Sequence, residues 1–252
     1  VEIMPEVLLE NLTKRYGSVV AVNRVNLLIN DREFFTILGP SGAGKTTILR
    51  LIAGFEEPDE GAIYFDGENV NDLRPFERKI KMVFQDFALW PHMQVYNQDR
   101  YSNLNFGLRI RKWLSEEIEQ RISEVAHKVG IKKELFPRRP GELSEGEKQR
   151  VAIGRAITTT PRVFLMDDPM TNLDPQSKLK VRGEIRKLHQ DLETTTIYVT
   201  HNVPDAMAIS DRMAVMREGI FEQINTPKNI FQFPKNDFVR DFFESAKVAF
   251  EI

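Results

Sequence analysis

The octapeptide Gly39-Pro40-Ser41-Gly42-Ala43-Gly44-Lys45-Thr46 constrains this chain more than any other feature, because it fits G-x-x-x-x-G-K-[ST] and has the right neighbours. Phe34-Phe35-Thr36-Ile37-Leu38 before it reads as a buried strand, and Thr47-Ile48-Leu49-Arg50-Leu51-Ile52 after it reads as a helix with apolar positions for a sheet. Strand, loop and helix in that order define a phosphate-binding loop. The glycines let successive backbone N–H groups turn inward around phosphate oxygens, and the helix N-terminus favours an anion. Lys45 supplies a mobile positive charge, and Thr46 is expected to place its hydroxyl on a Mg²⁺ that bridges β- and γ-phosphates. Gly39 to Thr46, with Thr47 at the start of the helix, form the expected nucleotide contacts.

A chain of 252 residues can bury a substantial core and suits one large α/β unit with an inserted subdomain. Its 35 basic and 37 acidic residues leave a formal charge of −2, so no global field draws it to nucleic acid or anionic lipid. No direct nucleic-acid partner is expected, and any membrane role must come through another subunit. No apolar run approaches the roughly 20 residues needed to span a bilayer. Val1-Glu2-Ile3-Met4-Pro5 lacks a basic-then-apolar export pattern, and a cytoplasmic location is expected. Without cysteine, disulfides and thiolate chemistry are excluded.

Ile80–Phe84, Val163–Met166, Thr196–Val199 and Met213–Met216 are short, apolar and β-branched or aromatic, as strands are. They alternate with helical segments: from Pro175 to Leu192, residues Val181, Ile185, Leu188 and Leu192 make one apolar stripe. Alternation of this kind implies crossover connections and a parallel core sheet. Glu6–Leu12 and Val25–Ile29, joined through Gly17, and Ala62–Phe65 suit an antiparallel flank. From about Gln94 to Thr160 strand signals are few. A helix from Ser115 carries Ile118, Ile122, Val125 and Val129 on one face, another starts after Ser144, and Thr158-Thr159-Thr160-Pro161 is the exit. The expected organisation is residues 1–93 and 161–252 as an ATP-binding α/β core with antiparallel flank and C-terminal segment, and 94–160 as an inserted helical subdomain.

Val163-Phe164-Leu165-Met166-Asp167-Asp168 places two carboxylates at the end of an apolar strand, as expected beside a phosphate loop. Asp167 can hold Mg²⁺ through its water shell, and Asp168 is placed to polarise an attacking water. Taken alone, the segment reads equally as a strand ending in a solvated acidic turn.

With Leu143-Ser144-Glu145-Gly146-Glu147-Lys148-Gln149-Arg150, these residues resemble the ATP-binding cassette transporter ATPases over nearly the whole chain. The family signature is close to L-S-G-G-Q-x-Q-R; Leu143, Ser144, Gly146, Gln149 and Arg150 match it, and Glu145 and Glu147 do not. Ser144 and Gly146 open a helix whose free N–H groups can face an anion. The same residues also read as an ordinary N-cap with Glu147 at the third helical position, and both readings can hold together. Glu147 replaces the family's usual glutamine and adds a negative charge near the nucleotide of a second subunit, which leaves ATP affinity on the signature side open.

The resemblance also implies roles for further residues. Tyr16 matches the aromatic that stacks on adenine, with Val20 beside it; without the family match a strand tyrosine reads as packing. Gln85, in Val83-Phe84-Gln85-Asp86, matches the glutamine that touches Mg²⁺ or water and senses the γ-phosphate. Asn172-Leu173-Asp174 matches a loop that crosses the dimer interface, and His201 matches the switch histidine whose imidazole reaches the γ-phosphate. His92, His127 and His189 have no such context. The family usually has glutamate where this chain has Asp168. The shorter side chain withdraws the carboxylate by roughly 1.5 Å, and slow but real hydrolysis is expected, since misplacement on that scale can cost about a hundredfold.

Within the family, Leu51-Ile52-Ala53-Gly54-Phe55-Glu56-Glu57-Pro58-Asp59-Glu60-Gly61, Trp90-Pro91-His92-Met93 and Thr196–His201 are most similar to importer ATPases of the sugar, polyamine and iron type. The resemblance implies an ATPase that pairs around two Mg-ATP, as a homodimer or with a related ATPase subunit, and drives two transmembrane permease subunits. A solute-binding protein belongs to the importer reading, and the expected place is the cytoplasmic face of the membrane. An exporter ATPase, a non-transport ATP switch and a degenerate ATP-binding regulator are the alternatives. Asp99-Arg100-Tyr101-Ser102 lengthens the chain between Pro91 and Phe106 beyond the usual family spacing; tuning of partner choice and a neutral surface loop are both open.

Overall fold

The computed structural model describes residues 6–171 and 173–248. Asn172 and the Val1–Pro5 stretch lie outside the described residues. In chain order the elements are β1 (Val7–Tyr16), β2 (Val19–Ile29), β3 (Phe34–Leu38), α1 (Lys45–Ala53), β4 (Glu60–Phe65), β5 (Glu68–Asn69), β6 (Lys81–Val83), α2 (Phe106–Ile110), α3 (Ser115–Lys128), α4 (Glu145–Ile157), β7 (Val163–Asp167), α5 (Pro175–Leu192), β8 (Thr195–Thr200), α6 (Val203–Ile209), β9 (Arg212–Arg217), β10 (Ile220–Asn225), α7 (Pro227–Gln232) and α8 (Asp237–Val248). They divide into two compact units. One takes the chain up to Ile80, Arg162–Asp168 and from Glu193 onward; the other takes Lys81–Pro161 and Pro169–Leu192.

The first unit is built on the expected parallel sheet. Within it β7, β8, β3, β9 and β10 are neighbours in that order. β3 runs parallel to β8 and β9, β7 runs parallel to β8, and only β10 returns antiparallel to β9. Every residue of β3, β7 and β8 is buried, which explains why these strands read as continuous rather than alternating patterns. Helix α1 lies against β7 and β8. Leu38 of β3 and Met213 and Val215 of β9 join Val203 and Ala206 of α6, Ile230 of α7 and Val239 and Phe243 of α8 in one apolar cluster.

The antiparallel flank is a sheet in the order β2-β1-β4-β5. Its two long strands exceed the expected Glu6–Leu12 and Val25–Ile29, since β1 continues to Tyr16 and β2 begins at Val19 around a turn at Gly17, where φ is 58°. Register shifts after Leu9, Leu12 and Lys14 interrupt the regular two-residue alternation of a strand, and Asn11 and Arg24 take positive φ at these irregularities. Strand β10 and helices α7 and α8 have no counterpart in the pattern reading; β10 is half-exposed along its length, so apolar periodicity is weak there.

The second unit is mainly helical. Ile118, Ile122 and Val125 of α3 are buried, and Val129 is buried just beyond the helix end. Arg121 donates to the carbonyls of Ile157 and Thr158, both at 2.9 Å, and so satisfies the C-terminal end of α4. Arg150 of α4 pairs with Glu184 of α5 at 3.2 Å. The segment around Asp99–Ser102 is tied down by two fully buried asparagines. Asn103 Nδ2 donates to the carbonyls of Trp90, Met93 and Gln94, while Asn105 Nδ2 donates to those of Asn97 and Arg100.

Candidate functional site

The phosphate loop joins β3 to α1, and its glycines are fixed by close packing. A Cβ on Gly39 would stand 2.2 Å from the Met216 carbonyl oxygen, and one on Gly44, where φ is 101°, would stand 2.1 Å from that of Ala21. Neither contact tolerates a side chain, because real Cβ atoms do not approach backbone oxygen so closely. Gly42 also takes positive φ, at 80°, whereas Pro40, Ser41 and Ala43 serve the turn, with Ala43 N–H donating to the Pro40 carbonyl at 3.2 Å. Gly44 is the N-cap of α1, and no side chain hydrogen-bonds to this helix start and no acidic residue stands in its first turn. The N–H groups of a helix start are thus left to an external anion. Thr47 lies half-buried in that first turn.

Lys45 is nearly buried, and its Nζ donates to the carbonyls of Gly39 at 2.9 Å and Pro40 at 2.8 Å. Burial pushes its pKa down from the ordinary lysine value, against the pull of the Asp168 and Asp167 charges. Thr46 Oγ1 donates to Asp167 Oδ1 at 3.0 Å. Burial raises the Asp167 carboxyl above the usual aspartate range, and the Thr46 hydrogen bond opposes that shift. A hydroxyl and a buried carboxylate side by side are hard oxygen donors of the kind Mg²⁺ takes, with water and phosphate completing its shell, so Thr46 and Asp167 fit that ion.

Asp168 follows at the end of β7 with φ of 43°, in the left-handed region, and its N–H donates to the Val199 carbonyl of β8 at 2.8 Å. This turn swings the side chain onto the end of β8. Oδ1 accepts from Thr200 Oγ1 at 3.2 Å, and Oδ2 lies 2.5 Å from His201 Nδ1. Thr200 is buried and its Oγ1 also accepts from Asn202 N–H at 3.1 Å, which fixes the hydroxyl proton toward Asp168. Residue-by-residue reading missed Thr200. The available signal was a hydroxyl at the last position of a strand that neighbours the acid-bearing one.

Tyr16 and Val20 lie at the tip of the β1–β2 hairpin with 44% and 40% of their surface exposed, so both offer apolar area to a planar ligand. Lys14 Nζ stands 5.5 Å from the Tyr16 ring centre. Through Ala21 of β2, the hairpin abuts Gly44.

The remaining predicted residues belong to the second unit. Gln85 is exposed in the turn after β6. Leu173 is buried, and Asp174 caps α5, its Oδ1 accepting from Gln176 N–H at 3.1 Å and Ser177 N–H at 3.0 Å. Ser144 is the N-cap of α4 in a capping box: its Oγ accepts from Glu147 N–H at 3.4 Å, and the Glu147 carboxylate accepts from Ser144 N–H at 2.8 Å and from Ser144 Oγ at 2.9 Å. Gly146 lies between them in the first turn, with open space where a Cβ would stand.

A parallel sheet with this loop at the end of β3 and two acids at the end of β7, one strand away across β8, defines a P-loop nucleotide-binding domain. The comparisons with known proteins narrow the class. The family described as ABC transporter matches residues 22–171. The chain is 48% identical over 247 residues to the osmoprotective compounds uptake ATP-binding protein GgtA of Synechocystis, and 46% identical over 253 residues to a trehalose/maltose import ATP-binding protein of Thermococcus litoralis. Each alignment covers 98% of this chain and 66% of the relative, so the chain spans just under two thirds of those proteins. Among solved structures, a dimeric post-hydrolysis state of the ATP-binding cassette MJ0796 bound to ADP and Pi is 32% identical with a TM-score of 0.77, covering 88% of this chain and 98% of that one. The chain belongs to the ABC transporter family, as one of its ATP-binding domains.

Proposed function

We propose that this chain hydrolyses ATP as the motor subunit of a solute importer. The observation that carries the reading is the open N-terminus of α1, with Lys45, the Thr46–Asp167 pair and the Asp168–Thr200–His201 group in one unit. The loop from Gly39 to Thr47 wraps the triphosphate with backbone N–H groups and Lys45, and Tyr16 with Val20 supports the adenine. Mg²⁺, when bound by Thr46 and Asp167, supplies charge neutralisation on the phosphate oxygens. Asp168 accepts a proton from the water that attacks the γ-phosphorus as the bond to the β–γ bridging oxygen breaks, and Thr200 and His201 hold the carboxylate in place. Gln85 is assigned the γ-phosphate sensing that the resemblance implies.

Ser144 and Gly146 of a second subunit complete the cage, so ATP closes a two-fold pair and hydrolysis reopens it. The paired subunit is a second copy or a related ATPase. Residues 1–93 with 161–252 act as the nucleotide-binding core, and 94–160 as the helical insert that carries the signature. No helix among the described residues is long and apolar enough to cross a membrane. The domain works at the cytoplasmic face, docked on two permease subunits and served by a solute-binding protein. The import names of its relatives favour this direction of transport over export. Phosphate release from Mg-ATP by the isolated chain, absent in Lys45→Ala, tests the ATPase. Uptake by vesicles holding the assembled permease tests import.

A further inference from the structure

The turn that carries Gln85 is held from helix α4. Phe87 N–H donates to the Phe84 carbonyl at 3.0 Å, which closes a four-residue turn with Gln85 and Asp86 at its centre. The chain leaves this turn through two successive left-handed residues, Phe87 with φ of 63° and Ala88 with φ of 45°. Neither is glycine, and a bulky residue such as phenylalanine rarely takes positive φ unless its surroundings impose it. Burial of the Phe87 side chain is one constraint. Arg155, in the last turn of α4, supplies another: its Nη1 donates to the Ala88 carbonyl at 2.6 Å and its Nη2 to the Phe87 carbonyl at 3.0 Å. One planar guanidinium thus bridges the carbonyls of both strained residues.

The guanidinium is itself held in place. It lies over the Trp90 ring, 4.9 Å from its centre, while Trp90 packs against Phe106 at 4.5 Å and Phe106 against Tyr101 at 5.5 Å. Tyr101 belongs to the extra segment Asp99–Ser102, so this insert buttresses the clamp from outside. Burial pushes the Arg155 guanidinium below its ordinary value, and the Asp86 charge, at the centre of the same turn, opposes that shift.

We infer that Arg155 is a positioning residue for ATP hydrolysis, which holds the turn from Phe84 to Ala88 in its strained form and so sets where Gln85 stands. The inference rests on the γ-phosphate sensing proposed above for Gln85. It ties the sensor to the helix that opens at Ser144, so that a displacement of α4 moves the Gln85 turn with it.

Arg155→Lys keeps the charge but cannot fork between two carbonyls in one plane. In steady-state phosphate release by the full chain it is expected to lower kcat about tenfold and to leave KM for Mg-ATP within about twofold of the parent. Glycine takes positive φ without steric cost, so Ala88→Gly relaxes the turn's need for the clamp; combined with Arg155→Lys it is expected to return kcat to within about threefold of the parent. A lysine that merely packs poorly against Trp90 gives a loss that Ala88→Gly does not relieve. Unchanged kcat in Arg155→Lys, a KM that rises beyond this limit, or a loss that persists in the double variant overturns the inference and leaves the proposed function standing. Should Arg155→Lys alone fail to melt cooperatively, the double variant decides by the same threshold. Absence of Mg-ATP-dependent phosphate release in the parent overturns the proposed function and this inference with it.

Discussion

The starts of α1 and α4 are two solutions to the same problem, the unpaired N–H groups of a first helical turn. At α1 the cap is Gly44, held by the Ala21 carbonyl against any side chain, and the first turn carries no acid. At α4 the cap is Ser144, and Glu147 closes the turn from within. Packing therefore leaves one helix start uncapped, while a local side chain closes the other. The lesson is that a phosphate site is made as much by what the fold prevents from capping a helix as by what it supplies.

The largest effect is expected at the open end. Replacing Lys45 by alanine removes the buried ammonium and should lower Mg-ATP-dependent phosphate release by about a hundredfold or more; release close to that of the parent would mean that the loop acts without its cation. Asp168→Glu comes next. If side-chain reach limits the reaction, turnover rises, by up to about a hundredfold. Turnover that stays level or falls would show that Thr200 and His201, through the left-handed turn at Asp168, already place the shorter carboxylate.

A smaller change is expected from Thr200→Val, which deletes one hydrogen bond to a charged oxygen. It should reduce kcat about tenfold with KM little altered, and Thr200→Ser should restore the loss. An equal loss in the serine protein would assign the effect to packing.

Asp167→Asn separates stability from function. Burial raises the folded-state pKa of this carboxyl, so its ionised form opposes folding at neutral pH, and that penalty fades as pH falls through the raised value. The nucleotide-free asparagine protein should therefore melt higher, by about 2–4 °C for each kcal/mol relieved, while losing most of the added stability that Mg-ATP gives the parent. A lower melting temperature without nucleotide would contradict the sign. At the capped end the change is smallest. Ser144→Ala loses a typical N-cap, costs about 1 kcal/mol, and should leave Mg-ATP binding at the phosphate loop intact in single-subunit calorimetry.

Much of this contrast is written in local pattern. The run from Phe34 to Thr46, the acids after Met166, and Ser144 followed by Glu147 three residues later are contiguous signals, each governed by rules of a few residues' range. Strands β3, β7 and β8 are legible because burial on both faces makes them apolar throughout. The β1–β2 hairpin was legible only in part, since its bulges scramble the two-residue period, and β10 was not legible because it buries little. Thr200 illustrates the remaining gap: nothing in its own segment shows that Asp168, 32 positions earlier, would turn back onto it.

The sequence by itself determined the chemistry available to this protein: which loop can hold phosphate, which acids end a strand, and which helix start carries its own carboxylate. These follow from residue type and short spacing. Tertiary structure decided which of those groups meet. The parallel pairing of β7 with β8 sets Asp168 beside Thr200 and His201, the approach of Ala21 and Met216 keeps Gly44 and Gly39 bare, and burial raises the carboxyl of Asp167. Such contacts depend on strand order and packing across long stretches of chain, and no local rule specifies them.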